Sequence, residues 1–375
     1  MQVFRRGDTG PVVAEIRDKL TRLGLPSGEP GSHDSFDELT DRAVRAFQQR
    51  RGLRVDGVVG PETYRGLDEA HWRLGDRLLS FTAGHPYVGD DVAVLQQRLL
   101  DMGFDPGRCD GIFGRQTETS LREFQRNVGL VPDGTVGPQT LKALDMLRRT
   151  VTGGSPSERR EEERLMRGGG ALSGRTVLLD PGHGGEDLGA YAHDLSESDV
   201  VFDLATRIEG RLGPLGVLTL LTRGPDSCPD DAQRATFAND TGADLLLSLH
   251  ADAAQSARPA GVSTYFYGAE LPGRVISSAV GERLATLIQH EVVARTDLTD
   301  CRVHPKAWQL LRMTRMPAIR LDVGYLTNEH DATRLGSPAF RDVVAEAVVA
   351  AVQRLYLPGG GDVSEGQFRI PALIG

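Results

Sequence analysis

Four side chains in the second half of the chain have types and positions suited to metal-dependent catalysis. His183 follows the apolar run TVLLDPG, His250 ends the run LLLSLH, and Asp322 lies inside AIRLDVGY. Glu197 lies where a helix is predicted to begin, near Asp199. Two imidazoles and one carboxylate are a recurring ligand set for catalytic zinc, with the fourth position left for water. The residues are far apart in sequence, so the fold has to bring them together.

The turn that carries His183 is rich in glycine. A glycine-rich turn after a strand is typical of a phosphate-binding loop, whose pattern is G-x-G-x-x-G. Asp187 stands where the third glycine of that pattern belongs. The turn therefore serves a purpose other than phosphate binding.

The elements around these residues alternate between strand and helix. Strands are predicted from apolar runs at 176–180, 217–222, 243–250, 261–267 and 318–325. Helices are predicted at 199–213, 231–241, 274–296 and 339–356. Apolar strands separated by helices predict an α/β domain with a mostly parallel sheet covered by helices on both faces. In such sheets functional groups collect beyond the carboxyl ends of the strands, where the two histidines and Asp322 are expected.

The first 150 residues contain two similar segments. RAFQQRRGLRVDGVVGPETYRGL at 45–67 matches REFQRNVGLVPDGTVGPQTLKAL at 122–144 almost position for position. Each segment follows an amphipathic helix closed by a glycine, which predicts two small three-helix modules. Both resemble the peptidoglycan-binding domain found beside many cell-wall hydrolases.

The predicted organisation therefore has six parts. These are a first module at 1–70, a connector at 71–86, a second module at 87–148, a linker at 149–172, the α/β domain at 173–357 and a tail at 358–375. The linker is rich in glycine, serine and charge, with a short charged helix expected inside it.

Composition limits the classes of partner. The net charge of −9 argues against a nucleic-acid partner, and no apolar run reaches the length needed to span a bilayer. The three cysteines are widely spaced and odd in number, which predicts neither a disulfide framework nor a C-x-x-C zinc site. The start MQVFRRGDTG lacks the apolar region of a secretory signal, so we expect a cytoplasmic protein. The cell envelope is the alternative if a natural upstream segment is missing from this chain.

The α/β segment resembles the zinc-dependent N-acetylmuramoyl-L-alanine amidases. The resemblance spans 174–356 and is carried by LLDPGHGGEDLGA, SESDV, LTR, GADLLLSLHAD and DVGYLTN. It implies cleavage between the lactyl group of muramic acid and the first L-alanine of the stem peptide. It also implies that His183, Glu197 and His250 are the zinc ligands. The glycines of the turn then let the backbone bend so that His183 faces the metal.

One position departs from the family pattern. The family's catalytic glutamate lies in a VE-x-G-F-x-x-N motif, where this chain has Asp322. Asp322 is the predicted general acid/base, but it is one methylene shorter, and such a group needs hydrogen-bond reach to the attacking water. A misplacement of about 1 Å can lower the rate by about a hundredfold. Arg223 and Arg234 are expected to stabilise loops by ion pairs.

Two functions therefore remain open. The first is a zinc amidase with two modules that bind peptidoglycan or muropeptide fragments. The second is an amidase homologue of low or no activity that regulates peptidoglycan precursor synthesis in the cytoplasm, together with a cell-wall synthesis protein as partner. The second follows from Asp322, from the missing export signal, and from an architecture similar to actinobacterial CwlM-type proteins.

Overall fold

The computed structural model describes residues 3–28, 34–147, 156–166, 171–271 and 274–356. The tail predicted at 358–375 lies outside the described residues, as do parts of the predicted linker. A helix, α7 (Pro156–Met166), lies inside that linker. No helix within the described ranges is long and apolar enough to cross a membrane.

The first half of the chain is helical, and each module has its own hydrophobic core. The helices are α1 (Pro11–Arg22), α2 (Glu38–Arg51), α3 (Pro61–Ala70), α4 (Asp90–Asp101), α5 (Arg115–Asn127) and α6 (Pro138–Met146). The GP pairs of the duplicated segments start α3 and α6, because proline at the first helical position loses no needed N–H bond. Phe47 and Phe124, the phenylalanines of the two FQ pairs, are buried in the cores of the first and second modules.

A buried glutamine holds the same turn in both modules. The side-chain amide nitrogen of Gln48 donates to the side chains of Asp56 and Thr63, and its oxygen accepts from the N–H of Gly57. Gln125 makes the equivalent bonds to Asp133, Thr140 and Gly134. Buried polar groups are stable only when they are hydrogen-bonded, and this requirement explains the shared FQ and DG-x-VGP-x-T pattern.

The second module includes residues from the predicted connector. Phe4 forms an antiparallel bridge with Val59 in the first module, and Leu79 forms the equivalent bridge with Val136 in the second. Leu79 is fully buried in the core of the second module. The second module thus begins before residue 87.

The remaining residues form the α/β domain. Its strands are β1 (Thr176–Pro181), β2 (Tyr191–Ala192), β3 (Leu195–Ser196), β4 (Leu218–Leu221), β5 (Leu245–Asp252), β6 (Val262–Leu271), β7 (Arg274–Ser277), β8 (Asp300–Lys306) and β9 (Ala318–Tyr325). Its helices are α8 (Glu197–Leu212), α9 (Asp231–Thr241), α10 (Ala279–Arg295), α11 (Gln309–Met313), α12 (Glu329–Gly336) and α13 (Pro338–Tyr356).

The main sheet has the order β4-β1-β5-β9-β6, with β7 and β8 both paired to β6. Strands β4, β1, β5 and β9 are parallel, whereas β6 is antiparallel to β9. The predicted mostly parallel sheet is therefore confirmed. In the register of β5 and β9, His250 lies beside Asp322.

Helices cover both faces of this sheet, as predicted. One face packs against α8, α10 and α13 in a single large core. The other face packs against α9 and α11 and also against Ala93 and Leu100 of the second module. Successive residues of β1 point to opposite faces, so Val177 and Leu179 join the first core and Leu178 joins the second.

The helix predicted at 274–296 was wrong at its start. Residues 274–277 form β7, and α10 begins at Ala279 after the N-cap Ser278, whose hydroxyl accepts from the N–H of Gly281. A serine cap stops a helical pattern from extending further toward the N-terminus. The β2–β3 hairpin and β8 were not predicted.

Candidate metal centre

The structure brings His183, Glu197 and His250 together. His183 follows β1, Glu197 is the first residue of α8, and His250 lies near the carboxyl end of β5. One ligand atom from each of the three residues can be chosen so that all lie within 4.8 Å of one another. The fold therefore gathers the residues that the sequence placed at strand ends and at a helix start.

The distances within this cluster fit a zinc ion. The carboxylate of Glu197 lies between the two imidazoles, with Oε2 3.2 Å from Nε2 of His183 and Oε1 2.9 Å from Nδ1 of His250. Tetrahedral zinc with ligand bonds of about 2.0–2.1 Å requires ligand atoms about 3.3 Å apart. Two imidazoles and one carboxylate are a donor set that zinc takes, and these two distances are close to the spacing that tetrahedral zinc requires.

His183 and Glu197 are each oriented by a contact outside the cluster. Nδ1 of His183 lies 2.8 Å from Oδ2 of Asp187, which leaves Nε2 directed at the cluster. A carboxylate behind a histidine ligand fixes the ring and raises its basicity. Both oxygens of Glu197 accept backbone N–H groups, from Ala251 at 3.1 Å and from Ala190 at 3.0 Å. These contacts orient the His183 ring and the Glu197 carboxylate within the cluster.

The glycines leave room for the imidazoles. A Cβ on Gly182 would lie 2.2 Å from the ring of His250, and a Cβ on Gly189 would lie 2.6 Å from the ring of His183. His183 itself adopts a left-handed backbone, with φ of 57°. The turn around His183 is thus shaped by the need to pack two rings and a carboxylate closely.

The two imidazoles stabilise the ionised form of Glu197. Hydrogen bonding to the Glu197 carboxylate raises the pKa of His183, with a smaller contribution from Asp187. Although burial opposes it, the two imidazoles hold the pKa of Glu197 well below its usual value. Glu197 is therefore ionised at neutral pH and provides a buried negative charge for a metal.

Arg234 stabilises the loop that carries His183. Its Nη1 lies 2.7 Å from Oδ1 of Asp180, and both side chains are buried. Its guanidinium also donates to the carbonyl oxygens of Pro181 and His183. Although burial opposes it, Arg234 lowers the pKa of Asp180. The expected loop-stabilising ion pair is present at Arg234.

Arg223 plays a related part by another kind of contact. Its guanidinium donates to the carbonyl oxygens of Pro181, Gly182 and Ser198. The expectation of an ion pair was therefore wrong for Arg223. These three carbonyl groups lie at the His183 turn and at the start of α8, so Arg223 joins the two segments that carry His183 and Glu197.

Asp322 lies beside the cluster but has a different partner. Its Oδ1 accepts from Nε of Arg320 at 2.6 Å, and its Oδ2 lies 3.3 Å from Nη2. Although burial opposes it, Asp322 raises the pKa of Arg320, which therefore remains a cation. The carboxylate predicted to act as a base is thus engaged in an ion pair in this structure.

Sequence reasoning missed Asp187 and Arg320 as functional partners. Asp187 lies four residues after His183 in the same turn, a spacing that allows contact between the two side chains. Arg320 and Asp322 are two residues apart on a strand, so they share a face. Both contacts had a signal in the sequence.

Comparison with known proteins gives a family match for the α/β domain and for both N-terminal modules. Residues 177–354 match the family described as N-acetylmuramoyl-L-alanine amidase. Residues 9–67 and 88–144 each match the family described as putative peptidoglycan binding domain.

Individual relatives have the same description. The N-acetylmuramoyl-L-alanine amidase CwlM of Mycobacterium tuberculosis is 47% identical over 99% of this chain and 94% of its own length. The N-acetylmuramoyl-L-alanine amidase LytC of Bacillus subtilis is 33% identical over 47% of this chain and 34% of its own. The structure of N-acetylmuramoyl-L-alanine amidase AmiC2 of Nostoc punctiforme covers 48% of this chain and 97% of its own, with 28% identity and a TM-score of 0.44.

The family matches and the α/β fold define an amide hydrolase. The chain belongs to the N-acetylmuramoyl-L-alanine amidase family.

Proposed function

We propose that this chain is a zinc-dependent amidase that hydrolyses the amide between the lactyl group of muramic acid and the L-alanine of the peptidoglycan stem peptide. The observation that carries the proposal is the His183–Glu197–His250 cluster in a chain of this family. These three residues would hold the ion. Zinc, when bound, supplies Lewis acidity that activates water and polarises a carbonyl.

Asp322 is the proposed general acid/base. Its carboxylate would accept a proton from the attacking water and deliver it to the amine nitrogen of L-alanine as the amide bond breaks. The support is its position beside His250 in the register of β5 and β9. Its ion pair with Arg320 has to loosen before it can accept a proton, because a carboxylate bound to a guanidinium is a weaker base. Turnover is therefore expected to be slow.

The two N-terminal modules are proposed to bind peptidoglycan or its soluble fragments. The support is that both match a family with that description. Two weak sites on one chain raise the apparent affinity for a polymer, because the second contact forms at high local concentration.

The test combines zinc analysis with a muropeptide-release assay on the purified full-length chain. We expect about one zinc per chain and release of stem peptides whose new N-terminus is L-alanine. Asp322→Asn should abolish release and leave the zinc content unchanged. Wild-type protein that holds zinc but releases no peptide, even after prolonged incubation, would contradict the amidase proposal.

A second function is favoured by the Arg320–Asp322 ion pair. If that pair persists with substrate bound, the chain would bind muropeptides without cleaving them. It would then act as a cytoplasmic regulator of precursor synthesis, with a cell-wall synthesis protein as partner. The exposed thiol of Cys228 supports this location, since thiols stay reduced in the cytoplasm. Fractionation of cells that express the untagged native gene tests it: recovery mainly from the wall or the medium would contradict a cytoplasmic role.

A further inference from the structure

The catalytic edge of the sheet opens into a cleft that the first module helps to build. The cleft has a volume of about 840 Å³ and includes His250 and Asp322. Its opposite side is formed by residues of the first module, among them Arg45, Leu53 and Arg54. We call it the domain cleft. Its volume is that of a pocket for one compact ligand.

Direct contacts hold the first module against this cleft. Gly52, at the end of α2, lies so close to β8 that a Cβ on it would be 2.8 Å from Cδ of Lys306. On α3, the next helix of the first module, Arg65 donates to Gln309, and Glu69 forms an ion pair with Arg312. The Arg312 guanidinium also donates to the carbonyl oxygen of Asp110 in the second module, at 2.6 Å. Both modules are therefore fixed to the α/β domain on this side.

Lys306 lies where the first module meets the cleft. Its ammonium is 6.0 Å from the centre of the Tyr265 ring and 5.7 Å from that of Trp308. Within the described part of the chain Lys306 forms no salt bridge. Burial lowers its pKa, although Asp322 opposes the shift through its negative charge.

The other two lysines of the chain differ from Lys306. Lys19 pairs with Glu15 at 2.6 Å and with Asp68 at 3.1 Å, whereas Lys142 is exposed to solvent on α6. A partly buried charge is costly unless it is paired. A cleft that contains such a cation is suited to a ligand that brings its own carboxylate.

We propose that the first module forms one wall of the substrate cleft and that Lys306, at their junction, binds a carboxylate of the stem peptide. This inference rests on the proposed function, because it takes the stem peptide as the ligand. The module then contributes to recognition at the reacting end of the substrate. A single soluble muropeptide fits such a cleft better than a cross-linked strand does.

The test measures binding rather than cleavage. The probes are N-acetylmuramoyl-L-alanyl-D-glutamic acid and its diamide, which differ only in the charge of the peptide carboxylates. They are titrated against the metal-free full-length chain at low temperature, so that the amide bond stays intact. The result therefore does not depend on whether the protein holds zinc or turns over, and it can fail or succeed independently of the amidase proposal.

We expect the wild type to bind the acid about tenfold more tightly than the diamide. Lys306→Met should remove this preference, Lys306→Arg should keep most of it, and Lys142→Met should leave it unchanged. A Lys306→Met protein that binds the acid as tightly as the wild type would overturn the assignment. Equal losses for the acid and the diamide would overturn it too, because they would indicate a structural role.

Two glycines at equivalent positions of the modules test whether the first module forms one wall of the domain cleft. Gly52 and Gly129 occupy the same left-handed position after the second helix of each duplicated segment, with φ of 65° and 75°. A Cβ on Gly52 would meet Lys306, whereas a Cβ on Gly129 would meet nothing within 4 Å. Gly52→Asn should therefore weaken binding of the acid about threefold or more, and Gly129→Asn should not. Equal affinity in the two variants would show that the first module does not line the cleft in solution.

Discussion

The His183–Glu197–His250 cluster and Asp322 lie at the same edge of the sheet, but their side chains are held in different ways. His183 and Glu197 are each oriented toward the cluster by a hydrogen-bond partner outside it. Asp322 is instead bound by the guanidinium of Arg320 on its own strand. The first arrangement suits the proposed cation site, whereas the second engages the carboxylate that is proposed to move a proton.

We infer from this difference that metal binding and turnover depend on different residues of this chain. The three side chains of the cluster are carried by the turn after β1, the start of α8 and the end of β5, none of which includes Arg320. A change at the cluster should therefore abolish both properties, and a change at Asp322 or Arg320 should affect turnover alone.

Removing both imidazoles should abolish zinc binding. The double variant His183→Ala, His250→Ala leaves a single carboxylate, and we expect its zinc affinity to fall by about a thousandfold or more. Equilibrium dialysis followed by metal analysis measures the loss. His290→Ala, at an exposed histidine far from the cluster in sequence, is the control. Full zinc occupancy in the double variant would remove the basis for the assignment.

Replacing Arg234 should lower the stability of the folded protein. Arg234→Met leaves the buried Asp180 carboxylate without its cation, and we expect the free energy of unfolding to fall by about 3–5 kcal/mol at pH 7. Chemical denaturation of the two proteins measures the difference. Arg42→Met, which breaks an exposed ion pair with Glu38, should leave the free energy of unfolding nearly unchanged.

The effect of Arg234→Met on the free energy of unfolding should depend on pH. The pKa of Asp180 is lowered in the folded wild type. The stabilisation that the ionised Asp180 contributes to the free energy of unfolding is therefore fully present above the unfolded pKa of about 3.9. That contribution is lost as the pH falls through the lower, folded pKa. The stability difference between wild type and Arg234→Met should therefore be largest near neutral pH and shrink below about pH 4. A difference that grows on acidification would contradict the assigned ion pair.

Removing the partner of His183 should weaken zinc binding moderately. Asp187→Asn keeps the size of the side chain but removes the charge behind the imidazole, and we expect a loss of zinc affinity of about 10- to 100-fold. Competition with a chelator of known affinity measures it. Glu186→Gln, at the neighbouring position, is the control for a change of net charge. Equal zinc affinities for Asp187→Asn and Glu186→Gln would show that Asp187 does not support the ligand.

Freeing or extending the carboxylate at position 322 should raise turnover and leave zinc affinity unchanged. Arg320→Leu removes the competing cation, and Asp322→Glu adds the missing methylene, with a gain of up to about tenfold expected for each. The release of L-alanyl peptides per bound zinc measures the effect. Arg320→Lys, which keeps a positive charge, should give a smaller gain. If both changes lower turnover, the ion pair is part of the active arrangement.

Much of the fold and of the cluster could be predicted from the sequence. Apolar runs separated by helical patterns predicted the parallel sheet, because a strand that is buried on both faces of a sheet is apolar throughout. His183 and His250 end apolar runs, so their meeting at one edge followed from parallel topology. Glu197 required the family resemblance, because a carboxylate in the first turn of a helix is common for reasons of helix electrostatics alone.

The rest depends on contacts that leave little trace in one sequence. Arg312 contacts Glu69 of the first module and the carbonyl oxygen of Asp110 of the second module. Each of these partners lies more than 200 residues from Arg312 along the chain. Nothing in the local pattern around Arg312 indicates either partner. The docking of the modules, and with it the domain cleft, is therefore visible only in three dimensions. The start of α10 was missed because the apolar residues of β7 continue the helical pattern toward the N-terminus.

A zinc measurement on two single variants of the full-length chain tests directly whether zinc binding and turnover depend on different residues. Asp322→Asn and His250→Ala are purified with the wild type, dialysed against limiting zinc, and analysed for metal per chain. The account predicts about one zinc per chain in the wild type and in Asp322→Asn, and less than about a tenth of that in His250→Ala. Loss of zinc from Asp322→Asn, or its retention by His250→Ala, would contradict the account.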